Sequence, residues 1–221
     1  MVASAALWHA RGVDPASIRA GYATIADAYA EELLDELAGK PLDRAFLDAF
    51  AERIGKTGRV VEVGCGPGQV AAYLARRGVA VEGVDLSPEM IDVARSAHRA
   101  IEFREADMMA LPYADASLAG AVAFYAIVHV PTEALHAPLR ELHRVVAAGG
   151  LVAIAFHVGA TVTHVDELWG RSTSLDFWFH PVAAVVAALE GAGFTLEARL
   201  EREPYPGVEH PSRRAYLLAR R

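Results

Sequence analysis

The sequence predicts an α/β protein with a doubly wound, mostly parallel sheet. Three observations indicate this fold. From residue 59 onward, short apolar segments alternate with longer amphipathic ones, as strands and crossover helices do. The short segments are apolar almost throughout, which is typical of parallel strands that are covered on both faces. The chain of 221 residues is long enough for one such domain with a full core.

The first five strands and the helices between them follow this alternation. We predict strands at 59–63, 79–84, 100–104, 118–124 and 149–157. Helices are expected at 68–77, 88–97 and 133–146. Because crossover segments separate these strands, they should run in parallel in a Rossmann-like arrangement.

The end of the chain has a different pattern. A helix is expected at 181–191, and two alternating segments at 194–203 and 213–220 flank the turn-rich stretch 204–211. These two segments predict a C-terminal antiparallel hairpin. With it, the predicted sheet has seven strands.

Residues 1–56 are predicted to form an N-terminal helical cap in front of the sheet. Asp14 and Pro15 are typical of a helix start. Apolar spacing predicts an amphipathic helix over 22–37, and a further helix is expected over 41–54.

A long segment separates the fifth strand from the last helix, and it contains Trp169, Phe177, Trp178 and Phe179. We interpret it as a lid or substrate wall, with a local satellite core as the alternative. The whole chain is then expected to be one domain, divided into the cap 1–56, the core 57–157, the lid-like insertion 158–180, and the final helix and hairpin 181–221.

Composition narrows the classes of function. The net charge of −7 disfavours broad contact with phosphate backbones, so no nucleic-acid partner is expected. The N-terminus lacks a secretory pattern, and no apolar run reaches the ~18 residues of a membrane span, which favours a cytoplasmic monomer or homodimer with no membrane partner. Cys65 is the only cysteine of the sequence, which excludes an internal disulfide and a cysteine zinc cluster. We expect no metal.

A glycine-rich segment between the first strand and the next helix predicts a cofactor cradle. Gly64, Gly66 and Gly68 alternate with other residues, and Glu62 stands two positions before the first of them. Glycine lets the backbone approach a ligand closely, and the helix that follows points free N–H groups at the same place. A dinucleotide fingerprint has a different spacing and serves a pyrophosphate, which Glu62 would repel. A cationic ammonium would suit this carboxylate.

Two further acids follow strands. Asp85 ends the second strand and can accept both hydroxyls of an adenosine ribose. Ser87 and Pro88 directly after it are typical of a helix start. Asp107 follows the third strand.

These residues resemble those of the class I S-adenosylmethionine (SAM)-dependent methyltransferases, in the small-molecule branch of types 11 and 25. The resemblance covers residues 60–156 well. It implies SAM as cofactor and S-adenosylhomocysteine as product. It also implies these cofactor contacts: the methionine part against Glu62, Gly64, Cys65, Gly66 and Gly68, the ribose on Asp85, the adenine against Leu86, Met90, Asp107 and Met108, and SAM covered by Tyr22, Tyr29 and Tyr125.

His129, on the loop after strand four, is the candidate catalytic base because an imidazole titrates near ~6.5. The alternative is a structural histidine. His157 and His210 could line the same cleft mouth. Arg213 and Arg214 would bind an anionic acceptor or remain solvated.

Four functions follow from these patterns. The first is transfer of a methyl group to O or N of a small, partly apolar molecule such as a secondary metabolite. The second is methylation of RNA or protein, which lacks the expected basic stripe. The third is a non-catalytic SAM-binding module, and the fourth is an NAD oxidoreductase.

Overall fold

The structure is a computed structural model that describes residues 14–55 and 58–221. In chain order the helices and strands are α1 Pro15–Leu33, α2 Pro41–Ile54, β1 Arg59–Val63, α3 Gln69–Arg76, β2 Ala80–Asp85, α4 Pro88–Ala97, β3 Phe103–Glu105, β4 Leu118–Phe124, α5 His136–Val145, β5 Val146–His157, β6 Val162–Leu168, β7 Arg171–Trp178, α6 Val182–Gly191, β8 Thr195–Arg202 and β9 Arg214–Arg220. Short 3₁₀ turns lie at Glu36–Gly39, Ala126–His129 and Thr132–Ala134. Of the predicted cap, residues 1–13 and residue 56 lie outside the described residues.

Seven strands form one sheet in the order β3-β2-β1-β4-β5-β9-β8. The strands from β3 to β5 pair in parallel, and β9 pairs antiparallel with both of its neighbours. The Rossmann-like, mostly parallel sheet with a C-terminal antiparallel hairpin is therefore confirmed. Consecutive residues of β1 pack on opposite faces: Val60 contacts the side covered by α2 and α3, and Val61 the side covered by α5 and α6. This is the double covering that the apolar strands predict.

Two strand boundaries were predicted wrongly. The third strand begins at Phe103 instead of residue 100, because Ile101 N–H closes a turn onto the His98 carbonyl after α4. The fifth strand begins at Val146 instead of residue 149, because the chain passes through Gly149 as an irregularity within the strand. Gly149 adopts a φ of +78°, a conformation that a sequence pattern reads as a break.

The segment between β5 and α6 is a two-stranded hairpin, β6–β7, that packs on α1. Leu175 of β7 is buried, and a Cβ at Gly21 of α1 would lie 2.6 Å from its Cδ2 atom. The Thr173 hydroxyl donates to the Gly21 carbonyl at 3.0 Å. The predicted insertion is therefore an ordered structure that shares a close interface with the cap helix.

A buried ionic cluster joins α2 to the C-terminal hairpin. The Arg202 guanidinium donates to Asp43 at 2.7 Å, to Glu209 at 2.6 Å and to the Tyr216 hydroxyl at 3.0 Å. The Tyr216 hydroxyl in turn donates to Asp43 at 2.8 Å. Burial raises the pKa of Asp43, whereas the bonds from Arg202 outweigh burial at Glu209 and hold its pKa at about 2. Each charge of this cluster depends on its partners, because none faces solvent.

Among residues 14–55 and 58–221, no helix combines the length and the hydropathy of a membrane span.

Replacing Asp43 with Asn should strongly destabilise the fold. The change keeps an oxygen for the Tyr216 hydroxyl, but it removes one of the two carboxylates that face Arg202 and sets an amide N–H group against the guanidinium, so a buried cluster of charges loses one negative charge. Breaking a buried ion pair in this way costs about 3–5 kcal/mol, and urea denaturation would measure it. Asp92→Asn is the matched control, because the Asp92 side chain is 80% exposed. Equal stability of the two variants would contradict a stabilising role of the cluster.

Candidate functional site

A cavity of about 510 Å³ lies at the edge of the sheet where the parallel strands end. Its wall follows the strands across the sheet, from Ala106 after β3 through Asp85 of β2, Gly64 after β1 and Tyr125 after β4 to His157 of β5. β9 begins at this edge because it runs in the opposite direction, and it contributes Arg214. A further wall comes from α1 and the β6–β7 hairpin through Tyr22, Tyr29, Trp169 and Phe177. The volume is typical of small-molecule sites.

The glycine loop is held from one side and open on the other. Gly64 has a φ of +65°, and a Cβ there would lie 2.6 Å from the Cβ of Ala126, so the loop packs directly on the turn after β4. Gly66 has a φ of +50°, and a Cβ there would approach only Tyr29, at 3.7 Å. The backbone at Gly66 therefore faces open cavity space, as a cradle requires.

Gly68 does not line the cavity. It precedes α3 with a φ of +84°, and its amide donates to the Cys65 carbonyl at 2.9 Å. A Cβ at Gly68 would lie 2.6 Å from the Phe103 ring. The visible role of this glycine is to turn the chain into α3, so contact with a cofactor stays a prediction. Burial raises the pKa of the Cys65 thiol, which favours its neutral form.

Asp85 connects the glycine loop to the start of α4. One carboxylate oxygen accepts from the Gly66 amide at 2.8 Å and the other from the Ser87 amide at 2.9 Å. The Ser87 hydroxyl caps α4 by accepting from the Met90 amide. A carboxylate has about four acceptor sites, so Asp85 can still accept from hydroxyl groups in the cavity. Leu86 and Met90 line the cavity beside it.

Glu62 lies beneath the loop and is almost fully buried. One of its oxygens accepts from the Ala71 amide in the first turn of α3 at 2.7 Å. Burial raises the pKa of this carboxyl well above its usual value. Glu62 also lines the cavity, so its predicted contact with an ammonium group stays a prediction.

Asp107 lies next to the cavity but does not line it, whereas Ala106 and Met108 do. A carboxylate oxygen of Asp107 accepts from the Met109 amide at 2.8 Å, and this bond shapes the turn after β3. The role of Asp107 in binding adenine stays a prediction.

Tyr22 on α1 meets His129 on the turn after β4. The Tyr22 hydroxyl lies 2.8 Å from Nε2 of His129, and Nδ1 lies 2.7 Å from the carbonyl oxygen of Asp176 on β7. Burial lowers the pKa of His129 to about 4, so the ring is neutral at neutral pH. A carbonyl only accepts, so Nδ1 carries the proton and Nε2 accepts the hydrogen bond from Tyr22. Burial also raises the pKa of Tyr22, so its phenol stays protonated and its oxygen can accept from the cavity.

Some of the other histidines and arginines line the cavity, and others lie elsewhere. His157 and His210 line the cavity together, with ring centroids 6.1 Å apart. Arg214 lines it as well, but Arg213 pairs with surface carboxylates. His180 is buried and bonds within the protein, so it is structural.

Sequence reasoning missed a polar group at the far end of the cavity. Lys40 bonds Glu36 and lies 3.5 Å from Glu209, and all three line the cavity together with Gln69. These residues lie far apart in the sequence without a recognisable motif, and each one by itself looks like an ordinary surface residue. Within the described ranges, no group of three or more His, Cys, Asp or Glu side chains could hold a metal ion.

Known proteins resemble this chain in sequence and fold. A family model described as "Methyltransferase domain" matches residues 60–150. The methyltransferase GfsG of Streptomyces halstedii is 39% identical over 104 residues, which is 44% of this chain and 37% of GfsG. The ubiquinone/menaquinone biosynthesis C-methyltransferase UbiE of Geobacter sp. (strain M21) is 29% identical and aligns with 89% of this chain and 82% of its own. This chain spans about half the length of other curated relatives.

A solved structure shares the fold across most of the chain. It is the 1,6-didemethyltoxoflavin-N1-methyltransferase of Burkholderia thailandensis, solved with 1,6-didemethyltoxoflavin and S-adenosylhomocysteine. The two superpose with a TM-score of 0.72 at 20% identity, covering 93% of this chain and 88% of that one.

The burial of His129 and His157 should lower stability as the pH falls from about 6.5 to 4, where unfolded histidines titrate but these two do not. The buried carboxyls of Glu62 and Asp85, whose pKa values burial raises, contribute in the opposite direction. Burial lowers the pKa of His157 to about 3, as it lowers that of His129 to about 4. In this window the unfolded chain binds more protons at the two histidines, so each of them lowers the stability by up to ~1.4 kcal/mol per pH unit. Urea denaturation at several pH values would measure the slope.

Relative to the native protein, the variant His157→Phe should become more stable as the pH is lowered through this window, because it lacks one buried histidine with a lowered pKa. His164→Phe is the control: its exposed ring has a pKa raised by Asp176 and Asp166, so its loss should not flatten the slope. An unchanged slope in His157→Phe would show that the His157 ring is protonated in the fold.

Proposed function

We propose that the chain is a class I SAM-dependent methyltransferase of the 11/25 type, with SAM as cofactor, and that it methylates O or N of a small organic molecule. The acceptor would bind in the same cavity, at the end formed by β4, β5 and β9. The observation that carries the proposal is the hydrogen bond from the Tyr22 hydroxyl to His129, which leaves the Tyr22 oxygen as an acceptor in a cavity of small-molecule size.

The residues at the other end fit the cofactor. Gly66 leaves open space where its Cβ would be, and Asp85 keeps acceptor sites for the ribose hydroxyls. Glu62 and Asp85 both line the cavity beside the glycine loop, and as carboxylates they would suit a ligand that carries positive charge. When bound, SAM supplies a methyl group on a positively charged sulfur, which leaves as a neutral thioether when the acceptor lone pair forms the new bond.

The direction of the Tyr22 hydrogen bond favours an oxygen or nitrogen nucleophile over a carbon nucleophile. Its hydroxyl proton is committed to His129, so its oxygen accepts a hydrogen bond from a nucleophile that carries an O–H or N–H. In the transfer, the proton of the nucleophile passes to Tyr22 and the Tyr22 proton to Nε2 of His129, whose Nδ1–H is held by Asp176. The positive charge lost from sulfur then reappears on the imidazole, so the net charge in the cavity is unchanged. Tyr22 is the catalytic residue and His129 positions it.

Two other acceptors are the alternatives. One is a carbon atom of a small molecule, as in the relative named a C-methyltransferase, and the other is RNA or protein. An RNA or protein acceptor would need an open, basic approach, but α1 and the hairpin form a wall of this cavity. A non-catalytic binding module would bind SAM and release no product.

Calorimetric titration should show binding of SAM and S-adenosylhomocysteine but no binding of NAD. Gly66→Ala should abolish binding, because its Cβ would enter the space facing Tyr29. Gly149→Ala is the matched control, because it introduces the same left-handed strain at a φ of +78° in open space away from the cavity. Asp85→Ala should also lose binding, and Asp92→Ala should retain it. Binding of NAD, or unchanged SAM binding in Gly66→Ala, would contradict the assignment.

Tyr22→Phe should lower kcat by ~10²–10⁴ while the affinity for S-adenosylhomocysteine changes little. The assay would follow product formation with an acceptor found in a screen of phenols and N–H heteroaromatic compounds. His129→Gln should also lower kcat, but the lost rate should return as rising pH ionises the acceptor itself. A merely structural role of His129 predicts a loss that does not depend on pH, and unchanged turnover would remove both residues from the mechanism.

A further inference from the structure

We propose that the acceptor end of the cavity binds a planar, uncharged ring, and that an accepting atom of this ring takes the Nε2 proton of His157. This inference rests on the proposed function, because it names the class of molecule that is methylated. It assigns to His157 a role in recognition that is separate from the Tyr22–His129 pair.

The position follows from the order of the strands. Asp85 and the glycine loop occupy the ends of β2 and β1, so the space over β4, β5 and β9 remains for the acceptor. Tyr125 ends β4 and His157 ends β5, and their ring centroids lie 5.0 Å apart.

Aromatic rings make up this part of the wall. Phe179 stacks on His157 with centroids 5.1 Å apart and an angle of 21° between the planes, and His210 meets Phe179 edge-on at 5.8 Å. All four rings line the cavity. Rings at these distances attract one another and present flat faces and edges, which fit a flat guest better than a flexible chain.

One hydrogen bond bears on the tautomer of His157. Nδ1 lies 2.7 Å from the Ser212 hydroxyl oxygen, which also accepts from the Arg214 guanidinium at 3.1 Å. That donation leaves the oxygen one lone pair and its own proton, and the proposal assigns this proton to the bond with Nδ1. The neutral ring then carries its proton on Nε2. His157 thus offers one directional donor, which pairs with a carbonyl oxygen or a ring nitrogen.

The charges at this end argue against an anionic acceptor. Lys40 is paired with Glu36 and Glu209, and Nε of Arg214 lies 3.3 Å from Glu209. Because Arg202 also bonds Glu209 and Asp43, three cations and three carboxylates balance one another in and behind the wall. A carboxylate or phosphate on the acceptor would have to displace these partners, whereas an uncharged ring leaves them in place.

Three probes of similar size test the inference: 4-quinolone, which has a carbonyl acceptor, naphthalene, which has none, and 1-naphthoate, which is anionic. Binding would be measured by ligand-observed NMR on the protein loaded with S-adenosylhomocysteine. We expect 4-quinolone to bind most tightly. His157→Phe keeps the stacking surface but removes the donor, so it should weaken 4-quinolone about 5- to 10-fold and leave naphthalene unchanged. His143→Phe, away from the cavity on α5, is the control and should change neither affinity.

Equal affinities of 4-quinolone and naphthalene, or tightest binding of 1-naphthoate, would overturn the inference. So would an equal loss of both neutral probes in His157→Phe. If S-adenosylhomocysteine itself failed to bind, the proposed function would fall, and the order of the three probes on the free protein would still decide this inference.

The nitrogen chemical shifts of the imidazole give a second readout that needs no ligand. We expect His157 in the Nε2–H form in the native protein and a mixture of tautomers in Ser212→Ala. An Nδ1–H form in the native protein would overturn the inference even if every variant folded poorly.

Discussion

The arrangement of this site depends on the parallel register of β2, β1, β4 and β5. Strands held in parallel by their backbone hydrogen bonds must all end at one edge, so the residues that follow them meet in one place although they lie far apart in the chain. The one strand that reverses, β9, adds its first residue to the same edge. Left-handed glycines then complete the edge, because only a residue without a Cβ lets the loop after β1 pack against Ala126.

Local signals in the sequence were sufficient for the fold and for several residues that line the cavity. Gly64 and Gly66 follow β1 and Asp85 ends β2, and the position at a strand end is enough to place them at the cavity. Tyr22 and Tyr29 lie two helical turns apart, and their ring centroids are 5.8 Å apart in the structure. The pairings between distant segments could not be predicted in this way. The bond between Tyr22 and His129 spans 107 positions, and no short-range pattern encodes it.

Burial keeps the side chains of His129 and Tyr22 uncharged before any ligand binds. A free imidazole beside a cationic ligand would repel it when protonated, but the lowered pKa of His129 prevents protonation at neutral pH. The raised pKa of Tyr22 likewise prevents a premature phenolate. The full charges at the acceptor end are instead held in pairs, with Glu209 shared between Lys40, Arg202 and Arg214. The cavity therefore separates charges that stabilise the fold from neutral groups that meet the substrate.

The contact between Gly21 and Leu175 constrains how this chain can diverge. The two residues lie in segments that fold as separate elements, yet a Cβ at one would overlap the side chain of the other. We therefore expect a larger side chain at position 21 to require a smaller one at position 175, so that the two positions change together during evolution. A chain without this hairpin would be released from the constraint, and alanine at position 21 would then favour the helix more than glycine does.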